Sequence, residues 1–218
     1  MRLSRICQRV TGILRTGALL CFLLAFNSPR LAALSVLATL AHEGGHAAVF
    51  LFCGGVGRMR HRAFGFCMTG TRLLSYREEA AVCAAGPLVN LCLAALCLAL
   101  LPFGKDFFAA FATVNLISAG CNLLPLPGYD GARLLTLALA RRDREAEAET
   151  VITFLGLGVS AALVFLSLYV MAVSDSAYWI FLSFFSSFLS CVIGAISRIK
   201  SENSRDFKRK NKENRGFQ

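Results

Sequence analysis

The sequence has few charged residues. Asp, Glu, Lys and Arg make up 17% of its 218 residues, whereas 56% are hydrophobic. A soluble domain of this size cannot bury so many apolar side chains around one core, so the composition excludes an ordinary soluble protein and favours a membrane protein. The nine cysteines form no CxxC pair and are scattered through apolar runs, which argues against a disulfide framework.

Apolar runs that could cross a bilayer lie at roughly 12–27, 31–53, 80–103, 107–126, 151–173 and 177–197. Most of these runs have a length close to that of a helix that spans the hydrocarbon core, which is about 20 residues. The sequence therefore predicts an all-α polytopic membrane protein with about six transmembrane helices in one domain, residues 1–197. The first run could also belong to a cleaved secretory signal, but cleavage near Ser35 would remove part of the second span.

Lysine and arginine cluster in four regions, with four in residues 1–16, five in 54–79, four in 125–150 and eight from Arg198 onward. The other two, Arg30 and Lys105, lie in short connections between runs. The positive-inside rule therefore places both termini in the cytoplasm of a multi-pass protein of the cell membrane. Residues 198–218 read as a basic, disordered tail beside the anionic inner leaflet. No nucleic-acid partner is expected, because topology already accounts for these charges.

The run at 31–53 contains the segment His42-Glu43-Gly44-Gly45-His46. Residues four apart lie on one face of an α-helix, so His42 and His46 can bind one zinc ion. Glu43 can then deprotonate a water whose pKa the metal lowers toward about 7, as in H-E-x-x-H zinc metalloproteases. Ionisable residues are costly within a span, so a functional site is favoured over simple helix packing.

A catalytic zinc ion usually has a third protein ligand. Asp130 is the remaining acidic candidate, because the others lie at a loop end, on the far face or in a charged run. It follows Pro125, Pro127 and Gly128, which must break the preceding helix. From the residues alone, Asp130 is equally well explained as the N-cap of the next helix. Asn122 could stabilise an oxyanion or hydrogen bond to another helix.

Three motifs in a fixed order resemble a known family. His42 to His46 reads HEGGH, "AAGPLVN" contains Gly86, Pro87 and Asn90 in a G-P-x-x-N pattern, and "NLLPLPGYDG" runs from Asn122 to Gly131. Together they resemble the site-2 proteases, the intramembrane-cleaving zinc metalloproteases. The resemblance covers roughly residues 30–140. Within the family, the compact sequence is similar to the small bacterial branch that includes the stage IV sporulation protease.

The resemblance implies a metalloprotease that hydrolyses peptide bonds in or near the transmembrane segments of membrane-anchored substrates. It implies one Zn²⁺ per chain bound by His42, His46 and Asp130, with Glu43 as the general acid/base and Asn122 close to the reacting centre. The chain has no PDZ-like insertion between the motifs and no nucleotide-sensing domain after the last run. A regulatory membrane partner is therefore a further hypothesis.

Residues 54–76 alternate in parts, which predicts a short β-hairpin at the membrane surface after the H-E-x-x-H helix. An exposed strand edge there could pair with an unwound substrate peptide, and a basic loop resting on anionic lipid is the alternative. Site-2 proteases are thought to use a similar sheet after the H-E-x-x-H helix. Two other functions stay open, a catalytically silent membrane-protein binder and a metal-ion transporter. The intact Glu43 argues against the first, and a total of three histidines argues against the second.

Overall fold

Helices dominate the structure, a computed structural model that describes residues 28–55, 57–61, 66–70, 74–142, 145–173, 180–182, 184–196 and 199. Five α-helices follow one another in the described part of the chain before residue 174: α1 (Pro29–Phe52), α2 (Tyr76–Ala99), α3 (Lys105–Asn122), α4 (Asp130–Ala140) and α5 (Glu145–Val173). A 3-10 turn, Leu101–Phe103, joins α2 to α3, and a further apolar helix covers Ile180–Ile196. The predicted first span at 12–27 and, apart from Ile199, the basic tail lie outside the described residues.

Two short strands lie between α1 and α2. Strand β1 (Gly57–His61) pairs antiparallel with β2 (Phe66–Gly70), so that Gly57 faces Gly70 and His61 faces Phe66. This is the segment in which sequence alternation predicts strands. The strand pairing does not show where the hairpin lies relative to the membrane, so its position at the membrane surface stays a prediction.

Local sequence signals fix where α2 begins. The Ser75 backbone N–H donates to Glu78 Oε2 over 2.8 Å, and the Glu78 N–H donates to Ser75 Oγ over 3.3 Å. This reciprocal capping box satisfies two donors that a helix start otherwise leaves unpaired. The helix therefore begins at Tyr76, four residues before the apolar run at 80–103. Hydrophobicity alone does not reveal this start, because the first turn of the helix is polar.

The outer surface of the helices is apolar. The segments Tyr76–Ala99 and Thr150–Val173 are each long and apolar enough to cross a bilayer. On α5, Phe154, Phe165 and Tyr169 are about 70% exposed in the isolated chain (71, 72 and 69%). Large exposed apolar side chains mark a surface that contacts another apolar phase, here lipid. The structure thus supports a membrane protein, while the number of six spans stays a prediction.

Helices α1, α2 and α3 pack against one another, and α4 packs against α2 and α5. Leu34 and Ala38 of α1 form a buried cluster with Val114 of α3. The fully buried Asn90 of α2 donates its Nδ2–H to Ser118 Oγ of α3 over 2.7 Å. An interhelical hydrogen bond in apolar surroundings ties α2 to α3 in a defined register.

Close contact between α1 and α2 depends on one glycine of the HEGGH segment. A Cβ atom on Gly45 would lie 2.9 Å from the Ala85 carbonyl oxygen and 2.8 Å from a Val89 methyl group. At the neighbouring Gly44, a Cβ atom would have nothing within 4 Å. Gly45 therefore allows the two helix backbones to approach, and Gly44 does not take part in that approach.

We expect Gly45→Ala to lower the free energy of unfolding by about 1–3 kcal/mol, because the added methyl group collides with helix backbone. Gly44→Ala is the matched control and should raise it by up to about 1 kcal/mol through helix propensity. Both values come from denaturant titration of the protein in detergent micelles. Equal stability of the two variants would contradict the packing described here.

Candidate metal centre

Three side chains that are distant in the sequence meet at one point. His42 Nε2 lies 3.0 Å from Asp130 Oδ2, His46 Nε2 lies 3.3 Å from the same oxygen, and the two Nε2 atoms are 3.1 Å apart. The side chains are largely buried, with exposed fractions of 5, 15 and 20% for His42, His46 and Asp130. Within the described part of the chain, this is the one cluster of His, Cys, Asp or Glu that could hold a metal ion.

The spacing of the three atoms suits zinc. Neighbouring ligand atoms of a tetrahedral zinc ion with bonds of about 2.0–2.1 Å are about 3.3–3.4 Å apart. The observed separations of 3.0–3.3 Å are close to these values. Two imidazoles and one carboxylate also leave a fourth position open, as catalytic zinc sites require. The residues present therefore fit the metal that the sequence predicts.

The tautomer of His46 is set by the backbone of α2. His46 Nδ1 lies 2.6 Å from the Val82 carbonyl oxygen. A carbonyl can only accept, so Nδ1 carries the hydrogen and donates it, and in the neutral ring Nε2 presents a lone pair toward Asp130. This is the arrangement in which a metal-binding histidine is oriented by its second nitrogen. The other histidine differs, because His42 Nδ1 is buried and has no hydrogen-bond partner in the described residues.

The absence of a side chain at Gly86 leaves room beside the two imidazoles. A Cβ atom there would lie 2.5 Å from His46 Nε2 and 2.7 Å from His42 Nε2. These distances are shorter than real Cβ contacts, so any side chain would occupy the space onto which the histidine nitrogens converge. Such a side chain would press against the two nitrogens that are candidate metal ligands. The glycine of the G-P-x-x-N motif is therefore part of the site although it supplies no ligand.

Asp130 is placed by an irregular segment between α3 and α4. Helix α3 ends at Asn122, and Gly128 adopts the left-handed conformation with φ 97°. Tyr129 occupies the N-cap position without a side-chain hydrogen bond, and Asp130 is the first helical residue. The N-cap interpretation of Asp130 is thus wrong, because its carboxylate turns toward the histidines instead of capping the helix.

Two glycines allow close packing around the segment between α3 and α4. A Cβ atom on Gly131 would overlap the Leu123 carbonyl oxygen, so the start of α4 packs directly against the end of α3. On the other side, a Cβ atom on Gly156 of α5 would lie 2.8 Å from Pro127 Cδ. The backbone that leads to Asp130 is therefore packed closely against the start of α4 at Gly131 and against α5 at Gly156.

The two residues predicted to act in catalysis have different surroundings. Glu43 is half-buried one residue after His42, and its carboxylate interacts electrostatically with His46. Asn122 is half-buried at the end of α3, where its Nδ2–H donates to the Ser118 carbonyl oxygen over 3.0 Å. The amide group of Asn122 thus bonds within its own helix. Catalytic roles for both residues stay predictions.

An ion pair near the metal ligands was not predictable from the sequence. Arg133 Nη2 lies 2.7 Å from Glu79 Oε1, and Arg133 Nε lies 3.3 Å from the same oxygen. In the sequence, Arg133 counts only as one of the basic residues that set topology, and Glu79 as an acid at a loop end. The contact of the Val82 carbonyl with His46 was not predictable either, because every residue type has a backbone carbonyl.

The sequence matches no protein-family model and no curated protein. Among solved structures, the chain is similar to the Site-2 Protease from Methanocaldococcus jannaschii. The two share 18% sequence identity with a TM-score of 0.57, and the match covers 84% of this chain and 86% of that chain. The resemblance inferred from the three motifs is confirmed at the level of the fold: the chain has the fold of a site-2 protease.

Proposed function

We propose that the protein is a zinc-dependent intramembrane endopeptidase that cleaves peptide bonds in or near the transmembrane segments of membrane-anchored proteins. The convergence of His42 Nε2, His46 Nε2 and Asp130 Oδ2 within 3.3 Å of one another carries the proposal. Support also comes from the site-2 protease fold, which extends over most of the chain.

The electrostatics of the cluster favour a bound cation. Because Val82 holds the hydrogen on Nδ1 of His46, an imidazole lone pair and a carboxylate oxygen face each other 3.3 Å apart. Two hydrogen-bond acceptors at that distance repel unless a proton or a metal ion lies between them. When bound, zinc would polarise the substrate carbonyl as a Lewis acid and lower the pKa of water.

In this proposal, Glu43 and Asn122 supply the remaining chemistry. The Glu43 carboxylate accepts a proton from the attacking water and later returns it to the nitrogen of the leaving amine. Asn122 Nδ2 exchanges its bond to the Ser118 carbonyl for one to the negatively charged oxygen of the substrate. The Val82 carbonyl keeps the His46 ring in place throughout.

We propose that the hairpin β1–β2 receives the substrate at the membrane surface. In the described part of the chain each strand pairs only with the other, which leaves outer backbone edges. An unwound substrate segment could add to such an edge as a further strand. In the same proposal, residues 1–197 form one six-span domain, both termini are cytoplasmic, and a membrane partner controls access.

Glu43→Gln should abolish proteolysis, a loss of at least about 10²–10⁴-fold, because the amide cannot accept the proton. Zinc content should be unchanged, since the three proposed ligands remain. The measurement compares protein amino termini in membranes of cells that make the native chain or the variant. New termini within membrane spans that depend on Glu43 would name the substrate. Identical termini, with zinc bound in the native protein, would point to a silent binder or a transporter.

Gly86→Ala should weaken zinc binding by at least about tenfold, because the added methyl group enters the space between the histidine nitrogens. Gly120→Ala on α3 is the control, since a Cβ atom there has nothing within 4 Å. Competition with a chromophoric chelator gives both zinc dissociation constants. Native-like zinc binding by the Gly86 variant would show that this space is not needed for the metal.

Asn122→Ala should lower kcat by about 10²–10³-fold and leave KM nearly unchanged, as expected for a donor that acts only on the transition state. If Asn122 serves only the hydrogen bond within α3, kcat should stay close to the native value and only the thermal midpoint of unfolding should change. Cleavage rates of the substrate identified with the Glu43 variant distinguish the two roles.

A further inference from the structure

The proposed metal ligands come from two helices that must be held in register. His42 and His46 belong to α1, whereas Asp130 is the first residue of α4. Helix α2 packs against both. The position of Asp130 relative to the histidines therefore depends on how α4 is fixed to α2.

One face of α2 contacts every part of this arrangement. Glu79, Val82 and Gly86 follow one another at intervals of three and four residues, so they lie along one side of the helix. The Val82 carbonyl accepts from His46, and Gly86 lies beside both histidine nitrogens. Glu79, at the end of the same side, accepts from Arg133 of α4.

The ion pair lies one helical turn from Asp130. Arg133 follows Asp130 by three residues, so the two side chains are neighbours on the surface of α4. A cation in the first turn of a helix is unfavourable for the helix dipole, and α4 has no side-chain cap. The dipole of α4 therefore does not favour Arg133 at this position, whereas its two contacts of 2.7 and 3.3 Å with Glu79 Oε1 do.

We propose that Glu79 and Arg133 are positioning residues that hold the start of α4 against α2 and so keep Asp130 within the metal-binding set. The inference rests on the proposed function only in requiring that this set binds zinc. The exposed fractions of the Glu79 and Arg133 side chains are 33% and 54%. Neither side chain is fully covered by protein, so at an aqueous end of the helices ions can reach the pair and salt should weaken it.

The test measures zinc affinity without a substrate. Dissociation constants are determined by chelator competition for the native chain, Glu79→Gln, Arg133→Gln and the double variant in detergent micelles. Arg141→Gln is the control, because Arg141 is an exposed arginine at the other end of the same helix. Each single variant should bind zinc about two- to fivefold more weakly than the native chain. The double variant should be no weaker than either single one, since all three lack the same interaction.

The salt dependence of zinc affinity distinguishes a lost ion pair from a general loss of stability. At about 0.05 M salt the native chain should bind zinc more tightly than Arg133→Gln, and at about 1 M the difference should largely disappear. A variant that is merely less well folded would keep its deficit at both salt concentrations. The comparison with Arg141→Gln at both concentrations removes any effect of salt on zinc binding itself.

A deficit that persists unchanged at about 1 M salt would overturn the inference while leaving the metal site intact, and two further results would do the same. One is native zinc affinity in both single variants. The other is a deficit in the double variant equal to the product of the two single deficits, because the residues would then act independently. A native chain that binds no zinc would overturn the proposed function and this inference together, so the two failures are distinguishable.

Discussion

The close approach of α2 to α1 is the constraint on which the candidate metal ligands His42, His46 and Asp130 depend. Helix α2 supplies no ligand, yet its Val82 carbonyl orients His46 and its Gly86 leaves space beside both histidines. That approach is possible because Gly45 lets the α1 backbone lie against Ala85. Two glycines on facing helices thus serve one geometry, the first by allowing contact and the second by leaving a space at the point of contact.

Regular helix alone could not assemble this set. Asp130 reaches the histidines because the chain leaves α3 at Asn122, turns at Gly128 and starts α4 with the carboxylate. Prolines 125 and 127 prevent α3 from continuing through this segment. Close contacts hold this irregular backbone in place, at Gly131 against the start of α4 and at Gly156 against α5.

Apolar runs predicted α1, and the four-residue spacing of His42 and His46 predicted that the two imidazoles lie on one face, because both features depend on local periodicity. The proline pattern likewise predicted the break after α3. The sequence could not decide between a cap and a ligand for Asp130, since both roles place a carboxylate at a helix start. The roles of Gly86 and of the pair Glu79–Arg133 depend on which helices touch, and a single sequence carries no record of that contact.

The position of the site along the helices favours a hydrolase over a transporter. Asp130 lies within one turn of Arg133, about 5 Å along the helix axis, and the pair Glu79–Arg133 is open to solvent. The capping box of Ser75 and Glu78 is exposed at the same end of α2. Charged groups of this kind are more stable beside water than in lipid, which favours a position of His42, His46 and Asp130 close to an aqueous end of the helices. A transporter needs ligands along a path through the midplane, whereas hydrolysis needs a short route for water to one metal ion.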